Sequence, residues 1–140
     1  MAKRVLVDTG FWIALFNERD RYHELAQIME EDLEFHQLLI PWPTLFEFVG
    51  TRLVRRKSTM AGFRQMLSRT SIVLVDDLPY REKSLDFTTG ASNHSYSLTD
   101  HVIRSMIEDV NLSVDALISF NPEDFRDVCT KRRIEIHSGD

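Results

Sequence analysis

The chain has 140 residues, 43% of them hydrophobic, which is enough apolar material for one ordinary core and too little length for two domains of typical size. Its formal net charge of −5 argues against indiscriminate binding to polyanions, because phosphate contacts depend on clustered Lys and Arg. The expectation is one domain over 1–140, soluble and unexported, since the first strand begins almost at Met1 and no stretch approaches the ~20 apolar residues of a membrane-spanning helix. A lone cysteine, Cys129, can form no internal disulfide, so the simplest setting is cytoplasmic.

In chain order, the first predicted element is a strand at Val5–Val7, followed by Asp8 and the apolar run Phe11–Phe16. Tyr22, Leu25, Ala26, Met29 and Leu33 then repeat at three and four residues, the apolar stripe of a helix whose other face carries Glu24, Glu30, Glu31 and Glu34. A second strand at Leu38–Ile40 stops before Pro41 and Pro43. Leu45, Val49 and Leu53 mark a helix running into Arg52, Arg55, Arg56 and Lys57, and a further helix at Thr59–Arg69 turns Phe63, Met66 and Leu67 inward. These two helices are expected to pair as a hairpin rising above the sheet.

A third strand at Ile72–Val75 ends at Asp76 and Asp77, read as turn or cap residues, and Tyr80–Ala91 reads as a weak helix closed by Thr88, Thr89 and Gly90. Val102, Ile103, Met106, Ile107 and Val110 form the clearest amphipathic stripe. Strands at Ala116–Ser119 and Ile134–Ile136 complete an alternation that specifies an α/β domain with a mainly parallel sheet of about five strands.

Ligands of such sheets gather beyond the carboxyl ends of the strands. Three acids fall there: Asp8 after the first strand, Glu47 after the second, and Asp100 at the start of the long helix in Ser97-Leu98-Thr99-Asp100. Taken singly, each has a plain structural explanation. Thr44 to Glu47 has capping-box spacing, Ser97 to Asp100 has the related one, and Asp8 fits a simple N-cap. Taken jointly, with Glu47 set between Phe46 and Phe48, three converging carboxylates would repel unless a cation held them. Oxygen-only ligands suit Mg²⁺ or Mn²⁺, and five scattered histidines lack a zinc pattern. Of the histidines, His94 and His101 lie near Asp100 with Tyr96, as surface or supporting residues.

The order of these pieces resembles the PIN domains, and within them the toxin subunits of VapBC toxin–antitoxin pairs. The resemblance runs over the whole chain, through Val-Asp8-Thr, the helical Glu47, Ser-Leu-Thr-Asp100 and Leu117-Ile118-Ser119-Phe120-Asn121-Pro122-Glu123-Asp124-Phe125. It implies an α/β/α sandwich, Mg²⁺- or Mn²⁺-dependent RNA cleavage, an antitoxin partner and a homodimer. By position, Asp8 and Asp100 match the metal-binding aspartates and Glu47 the second catalytic acid. Many relatives carry Asp where this chain has Asn121, whose amide ligates weakly and is no base. Asp124 is the residue to compensate, or else caps its own turn.

Further expectations concern the surroundings of the acids. Ser97 or Thr99 would contact the scissile phosphate, with capping as the alternative. Arg52, Arg55 and Arg56 would steer the RNA backbone from the helix of Glu47. Trp12, Phe16, Trp42 and Phe46 are either core or an antitoxin groove. The readings from other classes are a phosphotransfer protein, disfavoured because Gly10 stands two residues after Asp8, and a PIN-like binding module whose site has decayed at Asn121.

Overall fold

The computed structural model describes residues 2–93 and 95–139, so His94 falls outside it. Five strands form one sheet: β1 (Arg4–Val7), β2 (Gln37–Pro41), β3 (Ile72–Val75), β4 (Ala116–Ile118) and β5 (Glu135–His137), in the order β3-β2-β1-β4-β5. Every pairing is parallel, from Leu6 opposite Leu39 to Leu117 opposite Ile136. Among the described residues seven helices connect and follow them: α1 (Thr9–Phe16), α2 (His23–Leu33), α3 (Trp42–Val49), α4 (Lys57–Leu67), α5 (Arg81–Thr89), α6 (Leu98–Glu108) and α7 (Arg126–Arg132).

Strand side chains alternate between two cores, as the pleat requires. Val5, Val7, Leu38, Ile40, Ala116 and Ile118 face Phe11, Trp12, Phe48 and Phe63 of α1, α3 and α4. Leu6, Leu39 and Leu117 face Val102, Ile103, Met106, Ile107 and Val128 of α6 and α7. Both faces are therefore covered, which is why the strands read as continuous apolar runs rather than as alternating ones. The result is an α/β/α sandwich.

Several boundaries depart from the sequence expectation. Pro41 ends β2 instead of following it, opposite Val75, because a missing N–H is tolerated at the last strand position. The helix of Glu47 does not run into the basic cluster: α3 closes at Gly50, Thr51 is extended, and Arg52–Arg55 form a separate 3-10 turn. Nor do α3 and α4 stand proud as a hairpin. Phe63 of α4 packs 4.6 Å from Phe48 and 5.4 Å from Trp12, so burial of these aromatic rings draws the helix down onto the core. β5 lies one residue later than expected, and α6 stops at Glu108, leaving Val110 exposed. Among the described residues no helix is long and apolar enough to cross a membrane.

Candidate active site

The chain runs from β1 outward to β2 and β3, then crosses back to β4 and β5, so the strand order reverses between β1 and β4. That reversal opens a crevice at the carboxyl ends of those two strands. Asp8 stands at its centre. Its backbone N–H donates to the Ile118 carbonyl at 3.0 Å, continuing the β1–β4 ladder by one bond. Its Oδ1 accepts the Thr9 N–H at 2.8 Å, capping α1, and its Oδ2 accepts the Ser119 hydroxyl at 3.0 Å. The cap reading of Asp8 is thus correct, yet it accounts for one carboxylate oxygen only.

Ser119 is buried, and its oxygen also accepts the Asn121 N–H at 3.1 Å, which ties the turn after β4 to Asp8. Asp8 retains a little solvent-accessible surface but is enclosed by protein atoms, and this burial pushes its pKa up to about 6. The Ser119 and Thr9 hydrogen bonds pull against the shift, while the negative charges of Asp100 and Glu47 add to it. No cation is among the groups that act on it.

Glu47 reaches the same crevice from α3. The expected Thr44–Glu47 capping box is absent: Pro41 is the N-cap, Thr44 donates its hydroxyl back to the Pro41 carbonyl at 2.7 Å, and Glu47 is released. Its Oε1 instead accepts the Thr9 hydroxyl at 2.6 Å. The apolar setting expected for Glu47 is also corrected, because Phe48 is buried while Phe46 and Glu47 both lie at the surface. Helical periodicity explains this, since positions 46 and 47 sit on the outer side of α3 when Leu45 and Phe48 face inward.

Asp100 does close a capping box, accepting the Ser97 N–H at 3.2 Å through Oδ2 while Ser97 Oγ accepts the Asp100 N–H at 3.1 Å. Ser97 is therefore committed to capping. Thr99 lies beside a cavity of about 290 Å³ that it shares with Glu47, Phe46 and Leu98. Asn121 is exposed, and only its backbone is engaged, accepting the Asp124 N–H at 3.2 Å through its carbonyl. The Asp124 carboxyl caps no helix end. Its pKa is raised, by burial first and then by the charge of Asp100, with the charge of Arg104 pulling the other way. Electrostatic neighbours thus run Glu47, Asp8, Asp100, Asp124 across the crevice.

Of the other landmarks, Asp76 accepts the Leu78 N–H and Asp77 pairs with Arg81, as turn residues. His101 Nδ1 lies 2.9 Å from Ser84 Oγ and its ring stacks on Phe87, a supporting role. Arg52, Arg55 and Arg56 are exposed and form no ion pair among the described residues. Trp12 is wholly buried in the core, whereas Trp42 and Phe46 are 41% and 75% exposed, which divides the proposed aromatic groove. Sequence reasoning missed Thr9 and Ser119. The available signal was the same for both: a hydroxyl residue adjoining a strand exit, in Asp8-Thr9 and in Ile118-Ser119.

The donor set is all oxygen, and a buried carboxylate pressed by two like charges with no cationic side chain to offset them fits a hard divalent cation. As the side chains stand, no three His, Cys, Asp or Glu groups among the described residues are gathered closely enough to enclose one. Holding a metal would require the acids to draw inward, which the exposed Glu47 and partly exposed Asp100 and Asp124 have room to do.

Comparison with family models and with curated proteins finds no match for this chain. Among solved structures, the chain is similar in fold to one toxin. The structure is VapC20 of Mycobacterium tuberculosis, a sarcin-ricin loop cleaving toxin, with a TM-score of 0.68 at 20% identity, over 88% of this chain and 94% of that one. At that identity the likeness is one of fold, and the α/β/α architecture implied by the sequence motifs is the one found.

Proposed function

We propose that the chain is a divalent-metal-dependent endoribonuclease, the toxin of a toxin–antitoxin pair. The observation that carries this reading is Asp8, a largely enclosed carboxylate at the sheet's reversal point on which two acids, Asp100 and Glu47, act and no cation does. Likeness of fold to a loop-cleaving toxin supports it. Asp8 and Asp100 would hold the Mg²⁺ or Mn²⁺, with Asp124 taking the place that Asn121 cannot fill. Bound there, the metal supplies positive charge beside the phosphate and acidity to water.

The chain's own residues supply the rest. Thr9 fixes one oxygen of Glu47, leaving the other to accept a proton from a water attacking the phosphorus in line. Ser119 and the Thr9 N–H hold Asp8 in one orientation against the repulsion of its neighbours. Arg52, Arg55 and Arg56, unpaired and exposed just beyond α3, hold the RNA backbone. A cytoplasmic homodimer, with an antitoxin helix seated on the exposed Trp42 and Phe46, completes the reading.

A second reading, a binding module with a decayed site, is favoured by Asn121 and by the open spacing of the acids. Incubation of the pure protein with a mixed RNA pool separates the two. The nuclease cuts it with Mg²⁺ or Mn²⁺ and stops in EDTA; a folded protein that leaves every RNA intact under both conditions is a binding module.

A further inference from the structure

Arg104 lies one helical turn after Asp100 on α6 and enters the site described so far only through its charge on Asp124. Its Nη1 donates to the Asp124 backbone carbonyl at 2.7 Å and to Asp127 Oδ1 at 2.8 Å, and its Nη2 donates to Asp127 Oδ2 at 2.8 Å. The guanidinium also sits 4.4 Å from the ring centre of Tyr96, in the segment leading into α6. A single planar fork therefore joins three pieces of chain: the approach to α6, α6 itself, and the turn from Pro122 to Asp127. The Arg104 side chain is 13% exposed although its partner Asp127 is 63% exposed, so the arginine is held against the protein on one side, whereas both members of the Arg126–Glu123 pair on the same turn are open, at 53% and 80%.

The geometry points to Arg104 as a positioning residue that sets Asp124 against Asp100, and so completes the acidic site from which Asn121 has removed a charge. The inference rests on the carboxylate-held metal proposed above. The fork grips the backbone carbonyl of Asp124 and leaves its carboxylate uncommitted, the arrangement needed if that carboxylate is to face the crevice. The guanidinium spends its hydrogen bonds on Asp127 and on the Asp124 backbone, so Arg104 touches the Asp124 carboxylate by charge alone and forms no ion pair with it. Lysine, with one point charge and no planar fork, could not hold both arms.

The test is Mn²⁺ binding to the full, metal-free chain, followed by the electron paramagnetic resonance signal of free Mn²⁺. Charge alone predicts that Arg104→Ala, which deletes the cation acting on Asp124, tightens binding. Positioning predicts the opposite, a weakening of about 10- to 100-fold, the usual scale for loss of a residue that orients a ligand. Arg104→Lys, which keeps the charge, should weaken binding too and serves if the alanine variant fails to fold. Asp124→Asn should weaken it by a similar factor and add little in the Arg104→Ala background, since both act through one group. Arg126→Ala, removing the same charge from the same turn, should leave affinity unchanged within about twofold. Wild-type binding with Arg104→Ala and Arg104→Lys equal to it or tighter overturns the clamp and spares the metal site. Failure of the wild type to bind Mn²⁺ overturns both.

Discussion

Asp8 shows how one residue can be correctly read as a cap and still have a second carboxylate oxygen placed for the role proposed above. Its Oδ1 caps α1, and its Oδ2 is held by a serine from the neighbouring strand exit. Because its folded-state pKa is raised to about 6 from an ordinary 3.8, its contribution to stability is fully present below the ordinary value and is lost as pH rises to about 6. In metal-free protein this amounts to a loss on the order of 3 kcal/mol at most. Denaturation of the metal-free chain between pH 4 and 7 should show that decline, and Asp8→Asn should flatten it. Saturating Mg²⁺ should restore stability to the wild type at pH 7 and leave Asp8→Asn unmoved. Thr9 offers a second check: Thr9→Val removes the hydroxyl that fixes Glu47, and should cost about tenfold in kcat with KM nearly unchanged. Asp8 and Glu47 were legible in the sequence because they follow the first two strands, and Asp100 because it opens the clearest helix. Thr9 and Ser119 were not, because a hydroxyl's partner depends on which strands become neighbours, and β1–β4 adjacency is not written in local pattern.

At the scale of elements, pattern reading succeeded where burial has a period. The α6 stripe and the five strand positions follow from apolar spacing alone, within a residue or two. It failed where one residue breaks an element: Gly50 closes α3, so the basic cluster that looked like a continuation of the Glu47 helix belongs to a separate turn. The two capping boxes make the same point. Ser97–Asp100 forms, while Thr44–Glu47 does not, because α3 is capped at Pro41, three residues before Thr44, which moves Glu47 out of the first turn's capping position. Ser97→Ala should therefore cost about 1 kcal/mol of stability as a lost cap. It should also reduce cleavage, because the hydroxyl that holds the Asp100 backbone N–H, and so the first turn carrying Asp100, is lost; a thermal melt alongside single-turnover rates measures both. Unchanged cleavage with a lowered melting temperature would assign the pair to capping alone.

For the whole molecule, the proposed RNA cleavage requires a chain of net charge −5 to engage a polyanion, and the two-sided sandwich separates the charges that this needs. Asp8 lies at the sheet's reversal point with Glu47 and Asp100 as its acidic neighbours, and the arginines at 52, 55 and 56 lie beyond α3 on a separate turn. Binding of a single-stranded RNA to a cleavage-deficient variant should weaken with salt, and each of Arg52, Arg55 and Arg56 that contacts a phosphate should, when changed to Ala, lower the slope by about 0.7. The overall α/β class was legible from alternating runs, whereas the exposure of Trp42 and Phe46 and the burial of Trp12 were not, since all three sit in equally apolar sequence.

The central claim, that these carboxylates act through a metal on RNA, is tested most directly by cleavage of a single-stranded RNA titrated with Mg²⁺, using wild type, Asp8→Asn and Glu47→Gln. The account predicts a rate that rises from zero with Mg²⁺ in the wild type and no cleavage by Asp8→Asn. It also predicts a loss of about 10²–10⁴-fold in kcat for Glu47→Gln. Cleavage that persists in EDTA, or that survives either substitution at the wild-type rate, would contradict it.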